Sequence, residues 1–517
     1  MNNAAASQAT PARRDATWLG TLSPALIFAI LVAVSFVLRS DTFGDPNLHG
    51  DEVFYHTVGL AMHEGAVPYV DVWDRKPFGL FTIFYLIGFL SKQVVAYQNA
   101  TALFAAATAF VIARLAVALA SLEAQDEPAA TSTLLGGLLA GVSYLAWLPA
   151  LQGYGGQSPV WYDLFIASAM LILVRALPAL RQGHAPHSLL GAMLLAGCAI
   201  TIKQPALFEA AFIGVFAVWT LWRGGMPAPR LARTAALWAL VGAAPVLAIV
   251  AGYWLSGHWT EFFHAMVLAN LDKPQHWPTA LKRLLGMTLF IAPLLVCAAI
   301  GLKRTKGEAR RFVAAWLVAA LIGLCAVPQF YLHYVMPLTV PLCLAASALF
   351  ARRPVGVAAF AAMAILALSY APWQPGHTEA SRAAIERLRA QTLAHIGQGP
   401  LMGYDMPPQM YRLTGQPMIT PLVFPTHLAQ TIERDMSHLN TLAEMKRIIA
   451  LRPGAAIIAS PPRNAPINQE TYQLALGYVR ENCRLIEVVP VPERERTDNI
   501  AVWGDCHSRK SSRAPLP

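Results

Sequence analysis

The chain has 517 residues, of which 56% are hydrophobic and only 13% charged, and its mean hydropathy is +0.45. Soluble domains run nearer a quarter charged, so the composition excludes a soluble enzyme and points to a polytopic membrane protein. The formal charge of +10 does not imply a nucleic-acid partner, because the Lys and Arg residues sit in short clusters between apolar runs, where they orient membrane segments.

In chain order, residues 1–17 form a polar, Ala-rich cytoplasmic tail. The first apolar run, Leu19 to Leu38, is long enough to span and lacks a small-residue cleavage site, as in an uncleaved signal anchor. A first outer loop, 39–96, follows, and within it the run Phe78 to Leu90 is too short to cross a bilayer. It reads as interfacial or re-entrant. Further spans are expected near 97–119, 131–150, 159–178, 188–202, 206–222, 234–255, 284–302, 311–327, 333–350 and 354–371, about eleven in all.

The positive-inside rule tests this count. Arg13 and Arg14, Arg175 and Arg181, the group Arg223, Arg230 and Arg233, the cluster Lys303, Arg304, Lys306, Arg310 and Arg311, and finally Arg352 and Arg353 all fall on one side if Phe78 to Leu90 does not cross. The acidic stretch Glu123 to Glu127 on that side is the exception, although Asp and Glu contribute little to the rule. Residues 18–372 are thus the transmembrane unit, and 373–517 an extracytoplasmic unit with a polar tail.

That last unit reads as α/β. It has a helical stretch from Thr378 to His395 and short apolar runs at Leu401 to Gly403, Ala455 to Ala459, Leu485 to Val491 and Ile500 to Trp503. Cys198, Cys297, Cys325 and Cys343 fall in or beside spans, whereas Cys483 and Cys506 share the outer unit, where an oxidising compartment would permit a disulfide. No CxxC, HExxH or P-loop pattern occurs.

The chemistry-bearing residues concentrate in Asn47 to Gly79 of the first outer loop, and such polar density beside lipid calls for water or a polar substrate. Gly50 precedes Asp51 and Glu52, which helical spacing places in a first turn, with Tyr55 and His56 one turn on. The pair suits a base or a cation ligand, and equally a helix cap. Asp71, Asp74, Arg75 and Lys76 then precede Pro77, which holds Lys76 extended and starts a short apolar helix. Cations there touch lipid phosphates by snorkelling or form a specific phosphate site. In the loop between 256 and 283, Glu261 and His264 stand at helical spacing and would suit a divalent cation together with Glu52, or be an ordinary solvated face beside His258, Asp272, Lys273 and His276.

Asp51-Glu52 followed by P-Y-x-D-x-W-D-x-K-P resembles the GT-C glycosyltransferases that use polyprenyl-phosphate sugars, the protein O-mannosyltransferase and aminoarabinose transferase class, and most of all their bacterial RgtA/B/C/D-like branch. The second outer loop, Gly153 to Phe165, the Lys203-Gln204-Pro205 turn, Pro328 to Leu342 and Gly403 to Pro417 resemble that branch in the same order. Many relatives carry Lys-Pro-Pro where this chain has Lys76, Pro77 and Phe78, and Ser158 and Asp163 stand near where an acidic residue often occurs.

The resemblance implies a mostly α polytopic GT-C fold with a small C-terminal α/β domain. It implies a glycosyltransferase that moves a hexosyl or pentosyl group, with inversion, from a polyprenyl-phosphate donor to a glycan, lipid or protein acceptor on the outer face of a bacterial inner membrane. Asp51 would be the base with Glu52 supporting it; Lys76, Arg75 and Lys203 would hold the donor phosphate; Tyr55, Asp74, Tyr331, His333 and Tyr334 would contact substrate, the last three being equally suited to an interfacial aromatic belt. No cofactor is implied, and a divalent cation is optional. A transporter or lipid flippase would instead need mid-span ionisable groups, for which the Lys203 turn is the best argument. A non-catalytic envelope assembly protein would leave the Asp51, Glu52 and Lys76 cluster without a purpose.

Overall fold

The computed structural model describes residues 23–122, 129–272, 274–463 and 465–507. The N-terminal tail with Arg13 and Arg14, the start of the first apolar run, Glu123 to Glu127 and Lys273 lie outside them.

The membrane unit begins with α1 (Pro24–Leu38), then α2 (Gly50–Met62) and α3 (Phe78–Gly88) in the first outer loop. It continues through α4 (Val94–Ser121), α5 (Ala129–Ala150), α6 (Ser158–Leu180), α7 (Ser188–Ile202), α8 (Ala206–Arg223) and α9 (Ala228–Leu255). The short pieces α10 (Trp259–Phe263) and α11 (Ala269–Leu271) flank a π-helical turn at His264–Leu268. After these come α12 (Trp277–Phe290), α13 (Ala292–Arg304), α14 (Gly307–Cys325), α15 (Met336–Phe350) and α16 (Val355–Ser369).

A helix thus stands at every expected span, but the spans are not alike. Among the described residues, α4, α5, α6, α8, α9 and the stretch Leu332–Phe350 are long and apolar enough to cross a membrane. The expected single span at 284–302 is broken instead: α12 and α13 meet at a 63° bend. Pro293 is the cause, since it lacks an N–H and its ring collides with the carbonyl four residues back. At 15 residues each, α1, α7 and α16 rise only about 22 Å, less than the roughly 30 Å hydrocarbon core, so crossing would need flanking residues or local thinning.

Helix α3 has 11 residues, about 16 Å, shorter than a bilayer core is thick, and lies against α2 and α7. Gly59 of α2 permits that contact, because a Cβ there would come within 2.7 Å of the Phe84 backbone. At the opposite end of the molecule the basic loops gather: Arg181 contacts Glu308 at the start of α14, and the turn at Gly183 lies on Gly224.

The outer unit comprises α17 (His377–His395), β1 (Leu401–Tyr404), α18 (Met410–Leu413), α19 (Pro425–Ala429), α20 (Thr441–Ala450), β2 (Ala455–Ala459), α21 (Gln469–Asn482), β3 (Arg484–Glu493) and β4 (Arg496–Gly504). Each of the four short apolar runs became a strand, in the order β1-β2-β4-β3, with β1 and β2 parallel and the rest antiparallel. Cys483 and Cys506 form the disulfide that the composition permitted. The β3–β4 hairpin closes through Arg494 and Glu495, and its tip reaches the membrane unit: Arg494 pairs with Asp41 at 2.6 Å, and Pro492 accepts a hydrogen bond from Asn47. Trp73 donates its backbone N–H to Pro421 at 2.9 Å, so the first outer loop and the outer unit lie on one side of the membrane.

Candidate functional site

The site is built at the N-terminus of α2. His49 caps the helix, its Nδ1 accepting from the Asp51 N–H at 3.2 Å, and this sets Asp51 in the first turn, where the helix dipole favours a carboxylate. Twenty-five residues on, Lys76 precedes Pro77, the extended residue that caps α3, and Tyr69 pins the Lys76 carbonyl by donating its hydroxyl at 2.9 Å. The Lys76 ammonium stands 3.3 Å from Asp51 Oδ1 and 3.9 Å from Asp74 Oδ1, over the rings of Tyr55 and Phe424. Asp74 accepts from the Lys76 backbone N–H at 2.9 Å and faces His427 at 3.5 Å. Arg75 turns the other way, to Glu433 of the outer unit at 2.6 Å.

The charges are mutually set. Burial is the largest single influence on the Asp51 carboxyl and would raise it, but the Lys76 ammonium, with His49 and His333, together outweigh it and hold Asp51 well below the usual carboxylate range. Asp74 is depressed in the same way, by Lys76 and His427 against its own burial. Lys76 is conversely raised, the two carboxylates overriding its desolvation.

Glu52 behaves differently. It is fully buried, and its Oε2 accepts from the Gly156 N–H at 2.7 Å, tucked so closely against Gly155 that a Cβ there would overlap it. Burial pushes its carboxyl up to about 8, so it is protonated at neutral pH. It lines neither cavity described below, and through Gly156 it fastens the α5–α6 loop to α2. In the unfolded chain this carboxyl ionises near 4.5, so the folded form holds a proton that the unfolded form has lost. The associated stability is complete below pH 4.5 and falls as pH rises to about 8, by up to about 5 kcal/mol. The neutral Glu52→Gln variant is expected to keep most of its activity and to show a smaller loss of thermal stability between pH 5 and pH 8.5 than wild type. An equal pH slope in both proteins would refute this.

Two cavities meet at Lys76. One, about 360 Å³, lies under the outer unit and is lined by His49, Asp51, Tyr154, Tyr331, His333, Glu433, Arg463 and the hairpin tip Glu493 to Arg496, among others. The second, about 460 Å³, lies between the α7–α8 turn and the π-helical segment; Asp74, Lys203, Gln204 and Asn270 supply its polar wall, and Leu207, Phe208, Val267 and Leu271 its apolar one. Arg75, Lys76 and Tyr334 belong to both. Lys203, at the tip of the α7–α8 turn as expected, places its ammonium 5.1 Å from the Tyr334 ring centre.

Of the residues singled out from sequence, Asp51, Asp74, Arg75, Lys76, Lys203, Tyr331, His333 and Tyr334 therefore converge on these cavities. Tyr55 does not. It is fully buried beneath Lys76 and serves as the floor on which the ammonium rests, because α2 packs its ring against Phe81 and Phe84 of α3. Glu261 and His264 do not assemble with Glu52: among the described residues no three His, Cys, Asp or Glu side chains come together as ligands. Tyr154, Glu433, Arg463 and the hairpin tip went unread in the sequence, although the charge run Glu493-Arg494-Glu495-Arg496 between two strand-like runs was a visible signal.

No family model and no curated protein sequence matches the chain. In structure it is similar to ArnT from Cupriavidus metallidurans bound to undecaprenyl phosphate, with a TM-score of 0.54 and 14% identity over 92% of this chain and 97% of that one. It is similar also to the apo state of the same protein, at 0.55 and 14% over 95% and 99%. The Archaeoglobus fulgidus oligosaccharyltransferase follows at 0.47 and 11%, covering 86% of this chain and 70% of that one. At such identities the likeness speaks for the fold, and it agrees with the architecture: this chain is a mostly helical, multi-pass membrane protein of the GT-C fold that ArnT adopts.

Proposed function

We propose that the protein is a glycosyltransferase that takes a sugar from a polyprenyl-phosphate donor and places it on a hydroxyl of a cell-envelope acceptor, at the outer face of a bacterial inner membrane. The observation that carries this is the Asp51–Lys76 pair standing where a polar cavity under the outer unit meets a second cavity with an apolar wall. A donor phosphate in the second cavity would meet Lys76, Arg75 and Lys203, while its lipid chain would lie against Leu207, Phe208 and Leu271. ArnT, whose fold this chain shares, was crystallised with undecaprenyl phosphate, a ligand of that chemical class.

In the reaction the acceptor oxygen attacks the anomeric carbon as the bond from that carbon to the phosphate oxygen breaks. The electron pair leaves with the polyprenyl phosphate, whose growing negative charge Lys76 and Arg75 stabilise, and the acceptor proton passes to Asp51. One displacement of this kind inverts the anomeric centre. Because side-chain cations meet the phosphate, transfer is expected to survive EDTA; loss of activity with EDTA and its recovery with Mg²⁺ or Mn²⁺ would overturn that expectation.

The test is transfer of radiolabelled sugar from polyprenyl phosphate in membranes carrying wild type, Asp51→Asn or Lys76→Ala at matched expression. Full activity in both variants refutes the assignment and leaves the flippase and assembly readings.

A further inference from the structure

Five cationic side chains line the cavity under the outer unit, which by number alone suits a phosphate-bearing acceptor. Their partners reverse that reading. Arg75 is neutralised by Glu433, and Lys76 by Asp51 and Asp74. Arg463 lies 2.9 Å from Asp405 and 3.1 Å from Glu493, Arg494 is 2.6 Å from Asp41, and Arg496 is 3.1 Å from Asp498. Each cation on the wall is already paired within the protein, and Glu495 adds a further carboxylate. An anionic group entering here would face those carboxylates and would have to break ion pairs that are largely buried.

What the cavity does offer is hydrogen bonding. The Tyr154 hydroxyl and Arg463 Nη2 have no hydrogen-bond partner among the described residues. Tyr154 is 3% exposed and the Arg463 side chain 4%, so bulk water does not readily serve them, and an unpaired buried donor is costly unless a ligand completes it. Tyr154 comes from the α5–α6 loop and Arg463 from the outer unit, so both units are needed to build the pair.

Resting on the glycosyltransferase reading above, we propose that the accepting unit is an uncharged, hydroxyl-bearing sugar residue, with oxygens held by Tyr154 and Arg463, and that residues carrying phosphate or carboxylate are rejected. Specificity then comes from leaving buried donors unpaired when the hydroxyl is missing, and from like charge when an anion replaces it.

The experiment isolates the labelled product formed in native membranes and determines the accepting residue by mass spectrometry after mild degradation. A neutral sugar is expected; phosphate or uronate on the accepting residue overturns the proposal. The isolated acceptor fraction is then titrated into the purified full-length wild type, Tyr154→Phe and Arg463→Lys. Each variant should raise the KM for acceptor about fivefold to tenfold, with kcat and the KM for donor unchanged; the thermal midpoint should be unchanged in Tyr154→Phe, whereas Arg463→Lys gives up bonds to Asp405 and Glu493 and is assayed well below its own midpoint. An unaltered KM for acceptor in both variants refutes the assignment of the subsite. If instead no transfer dependent on Asp51 is found at all, the glycosyltransferase reading fails first and takes this one with it.

Discussion

Replacing Asp51 with Asn is expected to lower transfer by about 10²–10⁴-fold, the usual contribution of a positioned general base, with a KM for donor that falls rather than rises, since Lys76 loses a carboxylate that competes with the phosphate. The substitution keeps shape and removes charge, and Asp51 sits on the surface of the polar cavity at the end of a well-capped helix, so the fold should tolerate it. The position of the pKa makes the case sharper. In the free protein Lys76 holds Asp51 ionised far below neutrality, which makes it a weak base. On the proposed reading a donor phosphate would compete for the same ammonium, and as Lys76 turned its charge to the phosphate the Asp51 carboxylate would gain basicity, so that donor binding would activate the base. The acid limb of the pH profile of kcat/KM, which reports the free enzyme, should accordingly show no Asp51 ionisation down to about pH 4.5. Measurement of kcat, kcat/KM and thermal midpoint for wild type and Asp51→Asn checks both statements; a variant that loses less than about tenfold at full folding would remove Asp51 from the base role.

The second large effect is at Lys76. Lys76→Ala is expected to cost about 10²–10³-fold in kcat, the scale for deleting one electrostatic stabiliser of a developing anion. It should also destabilise the protein by about 3–5 kcal/mol, since Asp51 and Asp74 lose the cation that keeps both charged in a largely buried place. The sign of the pH dependence separates the two consequences. Depressed carboxylates contribute stability that is present above their unfolded pKa and lost as pH falls through the folded one. In the variant that contribution shrinks, so its deficit in thermal midpoint relative to wild type should be large at pH 7 and small at acid pH. Lys76→Arg keeps the charge but replaces a compact ammonium with a planar fork over Tyr55 and Phe424. It should recover most of the stability and only part of the rate. Equal recovery of both would mean that Lys76 is a structural cation alone.

The sequence by itself determined the class, a multi-pass helical membrane protein with a small C-terminal sheet, and singled out residues that the fold brings together around two cavities. Apolar runs are local signals, and they sufficed to mark α3 as too short to span and to find the four runs that became strands in the outer unit. Helical spacing likewise put Asp51 in a first turn, and Pro77 stands as expected at the start of the short helix α3. What spacing does not carry is direction. Asp51 and Glu52 are neighbours in one helical turn, about 100° apart around the axis, so one looks into a cavity while the other is driven into the Gly155–Gly156 loop. Their opposite pKa shifts follow from that rotation and from what each meets: the Lys76 ammonium for Asp51, and for Glu52 a burial that the hydrogen bond from Gly156 only partly offsets. The same holds for Tyr55, whose ring the packing of α2 on α3 turns beneath Lys76 rather than toward a ligand. Tyr154, Glu433, Arg463 and the hairpin tip are separated from Asp51 by roughly a hundred to several hundred residues of chain. Only the docking of the outer unit onto the first outer loop, through Arg75–Glu433 and Arg494–Asp41, closes them into one cavity and neutralises its cations. Such pairing between distant segments is a property of the tertiary structure, because an ion pair depends on a few ångströms of separation that no local pattern encodes.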